Sequence, residues 1–304
     1  MAENFELIIV GAGPAGLAAG LYGARMGLNT LVVGEILGGL ATEAALIENY
    51  PGVEPVTGLE LMDRLHRQAA KYGAKIHAPE TVLELVLHGE EKKVKTDRNL
   101  YSCRAVIIAT GCAPKKLGVP GEEKFKGKGV SYCATCDGPF FKDKTVMVVG
   151  GGNSAVSGAL HLKDLAKKVY LVHRRSQLRA DAVLRERLEE SGVEILWDTL
   201  VKSIEGNGHV ARVQLANSLT GEEAALPVDG VFIYVGEAPQ SKLAEKAGVR
   251  VDGEGFILVN RKQETSLKAV YAAGDVTGNV RQVGVAVGEG ITAAVNAYRY
   301  LKGG

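Results

Sequence analysis

"FELIIVGAGPAGLAAGLYGARMGLNTLVVGE", residues 5–35, decides the fold. It opens on the apolar run Leu7–Val10 and turns through G-x-G-x-x-G at Gly11, Gly13 and Gly16. Pro14 and Ala15 begin an uncharged helical stretch, and a second apolar run, Leu31–Val33, closes the unit. The order is strand, glycine turn, helix, strand. "KTVMVVGGGNSAVSGALHLKDLAKKVYLVHRR", residues 144–175, repeats it with Gly150, Gly152 and Ala155 at the three small positions and Asn153 and Ser154 opening the helix. In such a unit the first glycine permits the tight turn and the second lets the backbone approach a pyrophosphate. The third position lets helix pack on strand, and the helix N-terminus faces the phosphate charge. Two copies predict two dinucleotide sites and an α/β fold.

The ends of the second strands separate the two sites. In the first copy the strand ends at Gly34 and Glu35, and an acid there accepts hydrogen bonds from ribose hydroxyls. In the second it runs into "HRRSQLR", His173 to Arg179. Arg174, Arg175 and Arg179 offer planar cationic forks to a 2′-phosphate, which an acid would repel. The first site suits a dinucleotide without a 2′-phosphate, such as FAD, and the second NADP(H).

Composition narrows the field. At 304 residues two domains are expected, and a net charge of +1 argues against a nucleic-acid binder. Four cysteines are too few for a secreted disulfide framework, so a reducing, cytoplasmic setting is expected. The uncharged run from Leu7 to Ala24 is flanked by Glu3 and Glu6 and broken by glycines, so it reads neither as a targeting signal nor as a membrane span.

Between the repeats lies "SYCATCDGPF", residues 131–140, with Cys133 and Cys136 two residues apart and Asp137 directly after. By itself C-x-x-C is a redox dithiol, half of a zinc site or a structural disulfide. A structural zinc needs about four ligands. Cys103 and Cys112 are isolated, and no histidine has ligand spacing, so no metal is expected. Cys103 and Cys112 read as packing residues.

The ordered motifs resemble the low-molecular-weight thioredoxin reductases, within the pyridine nucleotide-disulfide oxidoreductases. They are "GAGPAG", Gly38–Gly39, "ENYPG" at residues 48–52, "ATG" at residues 109–111, "CATCD", "GGGNSA", "HRRSQLR", "AAGDV" at residues 272–276 and Arg281–Gln282. The resemblance implies two Rossmann-like three-layer (ββα) domains. The FAD-binding domain covers residues 1–114 and 242–304, and an NADPH-binding domain, 115–241, is inserted into it and carries the dithiol. Gly38, Gly39, Leu40, Asn49, Thr110, Gly111, Gly274, Asp275, Arg281, Gln282 and Val283 would lie near the flavin, with Asp275 on its ribitol. Cys136 would lie nearest the flavin, Cys133 would attack the disulfide of thioredoxin or a thioredoxin/glutaredoxin-like protein, and Asp137 would protonate the departing thiolate. Partial burial would be needed to keep Asp137 protonated. The implied assembly is a homodimer.

Several positions depart from the family pattern. Gly34 stands where many relatives carry the ribose acid, and Leu40 where they carry glutamine. Asn153, Ser157 and Gly158 replace an aspartate and a glutamate pair. Some relatives use ferredoxin or a deazaflavin, but the three arginines favour NADPH here. The competing readings are a same-fold flavoprotein with another electron donor, a dithiol oxidase, and a non-enzymatic nucleotide-binding module.

Overall fold

The computed structural model describes residues 3–303. The chain runs through β1 (Glu3–Asn4), β2 (Leu7–Val10), α1 (Pro14–Arg25), β3 (Thr30–Val33), α2 (Gly58–Lys71), β4 (Lys75–His77), β5 (Val82–Val86), β6 (Lys92–Thr96), β7 (Leu100–Cys103), β8 (Ala105–Ile108) and β9 (Cys112–Pro114). It continues through β10 (Val130–Ser131), α3 (Ala134–Asp137), β11 (Thr145–Gly150), α4 (Asn153–Lys163), β12 (Lys168–Val172), α5 (Ala182–Ser191), β13 (Glu194–Leu196), β14 (Thr199–Asn207), β15 (His209–Asn217), β16 (Glu223–Pro227) and β17 (Gly230–Tyr234). It closes with β18 (Glu237–Pro239), α6 (Lys242–Lys246), β19 (Val270–Ala272) and α7 (Val283–Lys302). Two units result: one holds the described residues up to Ala113 and from Ala238 onward, the other Pro114–Glu237.

In the first unit a five-stranded parallel sheet, β19-β8-β2-β3-β4, lies against a four-stranded sheet, β1-β7-β6-β5. The side-chain period of two along a strand distributes the core. Leu7 and Ile9 of β2 pack with Ala15 and Ala19 of α1 and Ala293 and Ala297 of α7. Ile8 and Val10 face the other way, onto Val94, Tyr101 and Cys103. Buried on both sides, such strands read as unbroken apolar runs.

The second unit repeats the layering. Its parallel sheet has the order β10-β17-β11-β12-β13, and β14-β15-β16 form an antiparallel sheet. Val146 and Val148 of β11 pack on Ala155, Ala159 and Leu162 of α4. Met147 and Val149 pack on Ile204, Val213 and Leu215. Each unit is therefore three layers, sheet, sheet and helices, and Rossmann-like.

The division falls at 113/114 and 237/238, against the 114/115 and 241/242 that the family resemblance implies. Gln240 is bonded to the first unit from both sides. Its N–H donates to Gly111 O at 2.9 Å, and Thr110 Oγ1 donates to Gln240 O at 2.7 Å. Ser241 Oγ donates to Gly255 O. The Thr110 partner of Gln240 lies 130 positions away in sequence, where no local pattern reports it.

Candidate active site

The first unit gathers its predicted residues around the start of α1. Gly11 has φ +117°, and a Cβ there would stand 2.1 Å from Ala109 O, so only glycine lets the turn after β2 sit against the end of β8. Gly38 N donates to Ala12 O at 2.8 Å, which brings the Gly38–Gly39 turn to the same loop. A Cβ on Gly39 would approach Gly13 Cα to 3.2 Å, and one on Gly274 would meet Ala15 Cβ at 2.9 Å. Residues 11–16, 38–39, 109–110 and 274 therefore converge. The N-cap of α1, Gly13, carries no side-chain capping bond, and a Cβ built there meets nothing closer than 3.9 Å. Such an N-terminus with open space before it fits a pyrophosphate.

Other predicted residues of this unit are joined across distant segments. Asn49 Nδ2 donates to Gln282 Oε1 at 3.0 Å across 233 residues of sequence, just before α7 begins at Val283. Cys112 Sγ donates to Asp275 O at 3.4 Å. Glu289, buried in α7, was not singled out from sequence. Its carboxylate accepts from Gly274 N at 2.7 Å, Thr277 Oγ1 at 3.2 Å and Asn279 Nδ2 at 2.9 Å, and so fixes the turn bearing Asp275. Only the packing of α7 reveals it, because a lone glutamate in a helix has no sequence signature.

Gly34 has a structural reason to lack an acid. A Cβ there would lie 2.7 Å from Ala12 N and 3.0 Å from Ala12 Cβ, inside the glycine turn. Glu35, one residue later, is exposed.

The third small positions of the two copies are not interchangeable. Ala155 fits in the second, but a Cβ on Gly16 would fall 1.8 Å from Gly11 O. Gly16→Ala is expected to displace the first glycine turn at a cost of about 1–3 kcal/mol, the range for overpacking. Flavin content after purification and melting temperature check this; a fully loaded variant with unchanged melting would refute it.

In the second unit β11 ends at Gly150 and α4 begins after Gly152, where a Cβ would meet nothing within 4 Å and no side chain caps the helix. This cradle also fits a pyrophosphate. Asn153 is committed elsewhere: its Nδ2 donates to Asp181 Oδ2 at 2.7 Å and its Oδ1 accepts from Asp181 N at 2.8 Å. His173 is buried under the turn, its ring 2.2 Å from where a Gly151 Cβ would stand. Its Nε2 faces Gln177 O at 2.9 Å, and burial lowers its pKa below the usual imidazole value. Arg179 N donates to Gly151 O at 2.7 Å, so the basic loop is stitched to the glycine turn. Arg174, Arg175 and Arg179 are exposed, and among the described residues none of them pairs with a carboxylate.

Cys133 and Cys136 form a disulfide with Cα atoms 5.4 Å apart. Cys133 is the N-cap of α3, and its Sγ accepts from Cys136 N at 3.1 Å. Cys136 is exposed, while Cys133 and Asp137 are partly buried. Two residues missed by sequence reading hold this segment. Tyr234, at the end of β17, accepts at its hydroxyl from Ala134 N at 2.7 Å, and it pairs in register with Gly150 of the glycine turn. Gly158 leaves room for it, since a Cβ there would press to 2.9 Å on the tyrosine ring. Glu122, buried, accepts from Leu117 N at 2.8 Å and from the Tyr132 hydroxyl at 2.7 Å, beside Cys133. Burial, then that carboxylate, pushes the Tyr132 pKa up, so the phenol keeps its proton.

Cys103 and Cys112 are buried free thiols. Burial pushes Cys103 up to about 12, which leaves it inert as a nucleophile. Among the described residues no group of three or more His, Cys, Asp or Glu could hold a metal ion. Among the same residues no helix is long and apolar enough to cross a membrane.

Comparison with known proteins agrees with this architecture. The family described as pyridine nucleotide-disulphide oxidoreductase matches residues 5–290. A thioredoxin reductase of Bacillus subtilis is 44% identical over 302 residues, covering 98% of this chain and 95% of the relative. The crystal structure of Lactococcus lactis thioredoxin reductase superposes with a TM-score of 0.95 at 36% identity, over 98% of this chain and 99% of that one. A ferredoxin-flavin thioredoxin reductase from Clostridium acetobutylicum is 35% identical over the full length of both chains, with a TM-score of 0.55.

Proposed function

The chain belongs to the pyridine nucleotide-disulphide oxidoreductase family, and on that premise we propose that it is a flavin-dependent reductase of the thioredoxin disulfide, with NADPH as electron donor. The observation that carries this reading is the Cys133–Cys136 disulfide tied through Tyr234 to an NADP-type glycine turn, beside three arginines that among the described residues pair with no carboxylate. A bound flavin accepts a hydride from a reduced nicotinamide and passes the two electrons to a disulfide. The residues around Gly11, Gly38 and Asp275 would hold it in the first unit. Gly150, Gly152, Ser154 and Ala155 would hold the pyrophosphate of NADPH, and Arg174, Arg175 and Arg179 its 2′-phosphate.

Once the pair is reduced, the thiolate of Cys133 attacks one sulfur of the thioredoxin disulfide. The S–S bond of thioredoxin breaks, its second sulfur leaves as a thiolate, and a mixed disulfide joins the proteins. Cys136 then attacks Cys133 Sγ, which re-forms the 133–136 bond and frees dithiol thioredoxin. Asp137 supplies the proton to the departing thiolate. Its carboxyl follows Cys136 directly and, among the described residues, makes no hydrogen bond that would occupy it. Asp137→Asn should slow the exchange with thioredoxin about 10²-fold, the usual reach of one general acid, and leave flavin bleaching by NADPH unchanged. Equal losses in both half-reactions would remove the residue from this role.

A homodimer in the cytoplasm completes the proposal, and light scattering of the FAD-loaded protein tests the dimer. The deciding experiment for the donor is anaerobic rapid mixing of the oxidised protein with NADPH, NADH and a reduced deazaflavin in turn, followed by oxidised thioredoxin. Bleaching by the deazaflavin alone would overturn the donor assignment. Bleaching without reoxidation by thioredoxin would overturn the substrate.

A further inference from the structure

We infer that Trp197 is the platform on which the purine of the second-site nucleotide stacks, an inference that rests on the pyridine-nucleotide reading of that site. β11, β12 and β13 are adjacent and parallel, with Val149 opposite Val172 and Val172 opposite Leu196. The next row along the carboxyl edge is therefore Gly150, His173 and Trp197. The side chains follow the same order: the His173 ring lies against Gly151, and Trp197 meets that ring edge-to-face, with centroids 6.3 Å apart and planes at 76°.

Ligands of open parallel sheets lie across this edge. The pyrophosphate takes the glycine turn at the end of the first strand, and the ribose is read at the end of the second, where Arg174 and Arg175 follow His173. Continuing outward, the base arrives beside the third strand, at Trp197.

The indole is built as a presented surface. It is 38% exposed and belongs to neither hydrophobic core of its unit. The turn that carries it is locked from several sides. Thr199 Oγ1 donates to Trp197 O at 2.7 Å. Asp198 is held at φ +48°, a conformation rarely taken by residues other than glycine. Asp198 O accepts from Ser218 N at 2.6 Å and from Ser218 Oγ at 3.0 Å, and Asp198 N reaches Arg175 O at 3.4 Å. An exposed aromatic is thus fixed to the backbone of an arginine that would bind the 2′-phosphate. This fits a purine nucleotide, whose base supplies a π-face and whose phosphate supplies the charge.

The chain has a single tryptophan, so its emission reports this residue alone. The FAD-loaded protein is titrated with adenosine 2′,5′-bisphosphate and followed by tryptophan fluorescence and by calorimetry. Emission should change with the same midpoint as the heat. Trp197→Ala should weaken binding about 5- to 100-fold, the range for one base on one aromatic, and raise KM for NADPH at unchanged kcat. Trp197→Phe should stay within about threefold of the parent, because a smaller ring still stacks. Heat without any change in emission, together with undiminished binding by Trp197→Ala, overturns the inference and leaves the parent reading intact. A rise in KM for thioredoxin alone also overturns it, in favour of a protein contact. Absence of heat and of bleaching by NADPH in the unaltered protein sinks the parent reading and the inference with it.

Discussion

Serine in place of Cys136 is expected to abolish turnover with thioredoxin, by about 10³-fold or more, and to leave a covalent complex behind. The expectation follows from the inequality of the two sulfurs. Cys133 caps α3, and its Sγ accepts the Cys136 N–H at 3.1 Å. Cys133 Sγ thus already receives a backbone donor at the start of α3, while Cys136 follows it inside the turn. In Cys136→Ser the nucleophile survives. It opens the thioredoxin disulfide and stalls, because no second sulfur remains to resolve the mixed disulfide. In Cys133→Ser the attack itself is lost, so turnover falls equally far and no complex accumulates. Non-reducing electrophoresis and mass spectrometry distinguish the variants, and anaerobic bleaching by NADPH should survive in both. A complex trapped by Cys133→Ser alone would exchange the two roles. Undiminished turnover in either variant would remove the pair from the reaction.

The layering was legible from sequence because each central strand is buried on both faces and each glycine turn stands between strand and helix. That is local information, repeated twice in one chain, and the ordered motifs extended it to the family. Residues acting across long sequence distances were not legible. Tyr234 reaches Ala134 over 100 positions, Asn49 reaches Gln282 over 233, and neither interval has a period or a spacing rule. Glu289 and Glu122 are buried carboxylates that look from sequence like any surface acid; only their backbone donors reveal them. Gly34 shows a third case. Its departure from the family was visible, but its cause, the contact with Ala12, belongs to the folded turn. Asn153 and His173 stand at motif positions yet spend their polar atoms on Asp181 and on the Gln177 carbonyl, so position in a motif located them without fixing what they touch.

Removing Arg174 and Arg175 should erase the discrimination between NADPH and NADH more than any other surface change. Arg174, Arg175 and Arg179 lie on one loop, exposed and without carboxylate partners among the described residues, and the loop is pinned to the glycine turn through Arg179 N and Gly151 O. A cation left unpaired in this way keeps its full hydrogen-bonding capacity for an anion. A charge-assisted bond to phosphate contributes about 1.5–3 kcal/mol, so losing two of them corresponds to roughly a hundredfold or more in affinity. Arg174→Ala combined with Arg175→Ala should therefore raise KM for NADPH about 10²-fold, while KM for NADH moves little. Lysine at both positions should restore only part of the difference, because an ammonium cannot make the planar two-point contact. The discrimination should also depend on pH in a definite direction. A phosphate monoester loses its second charge as pH falls through about 6, so the preference of the unaltered protein for NADPH should shrink below that pH and the double variant should show no such change. Steady-state kinetics with both nucleotides between pH 5 and 8 measure this. Equal losses for NADPH and NADH would place these arginines in folding or general electrostatics and leave the 2′-phosphate without a reader on this loop.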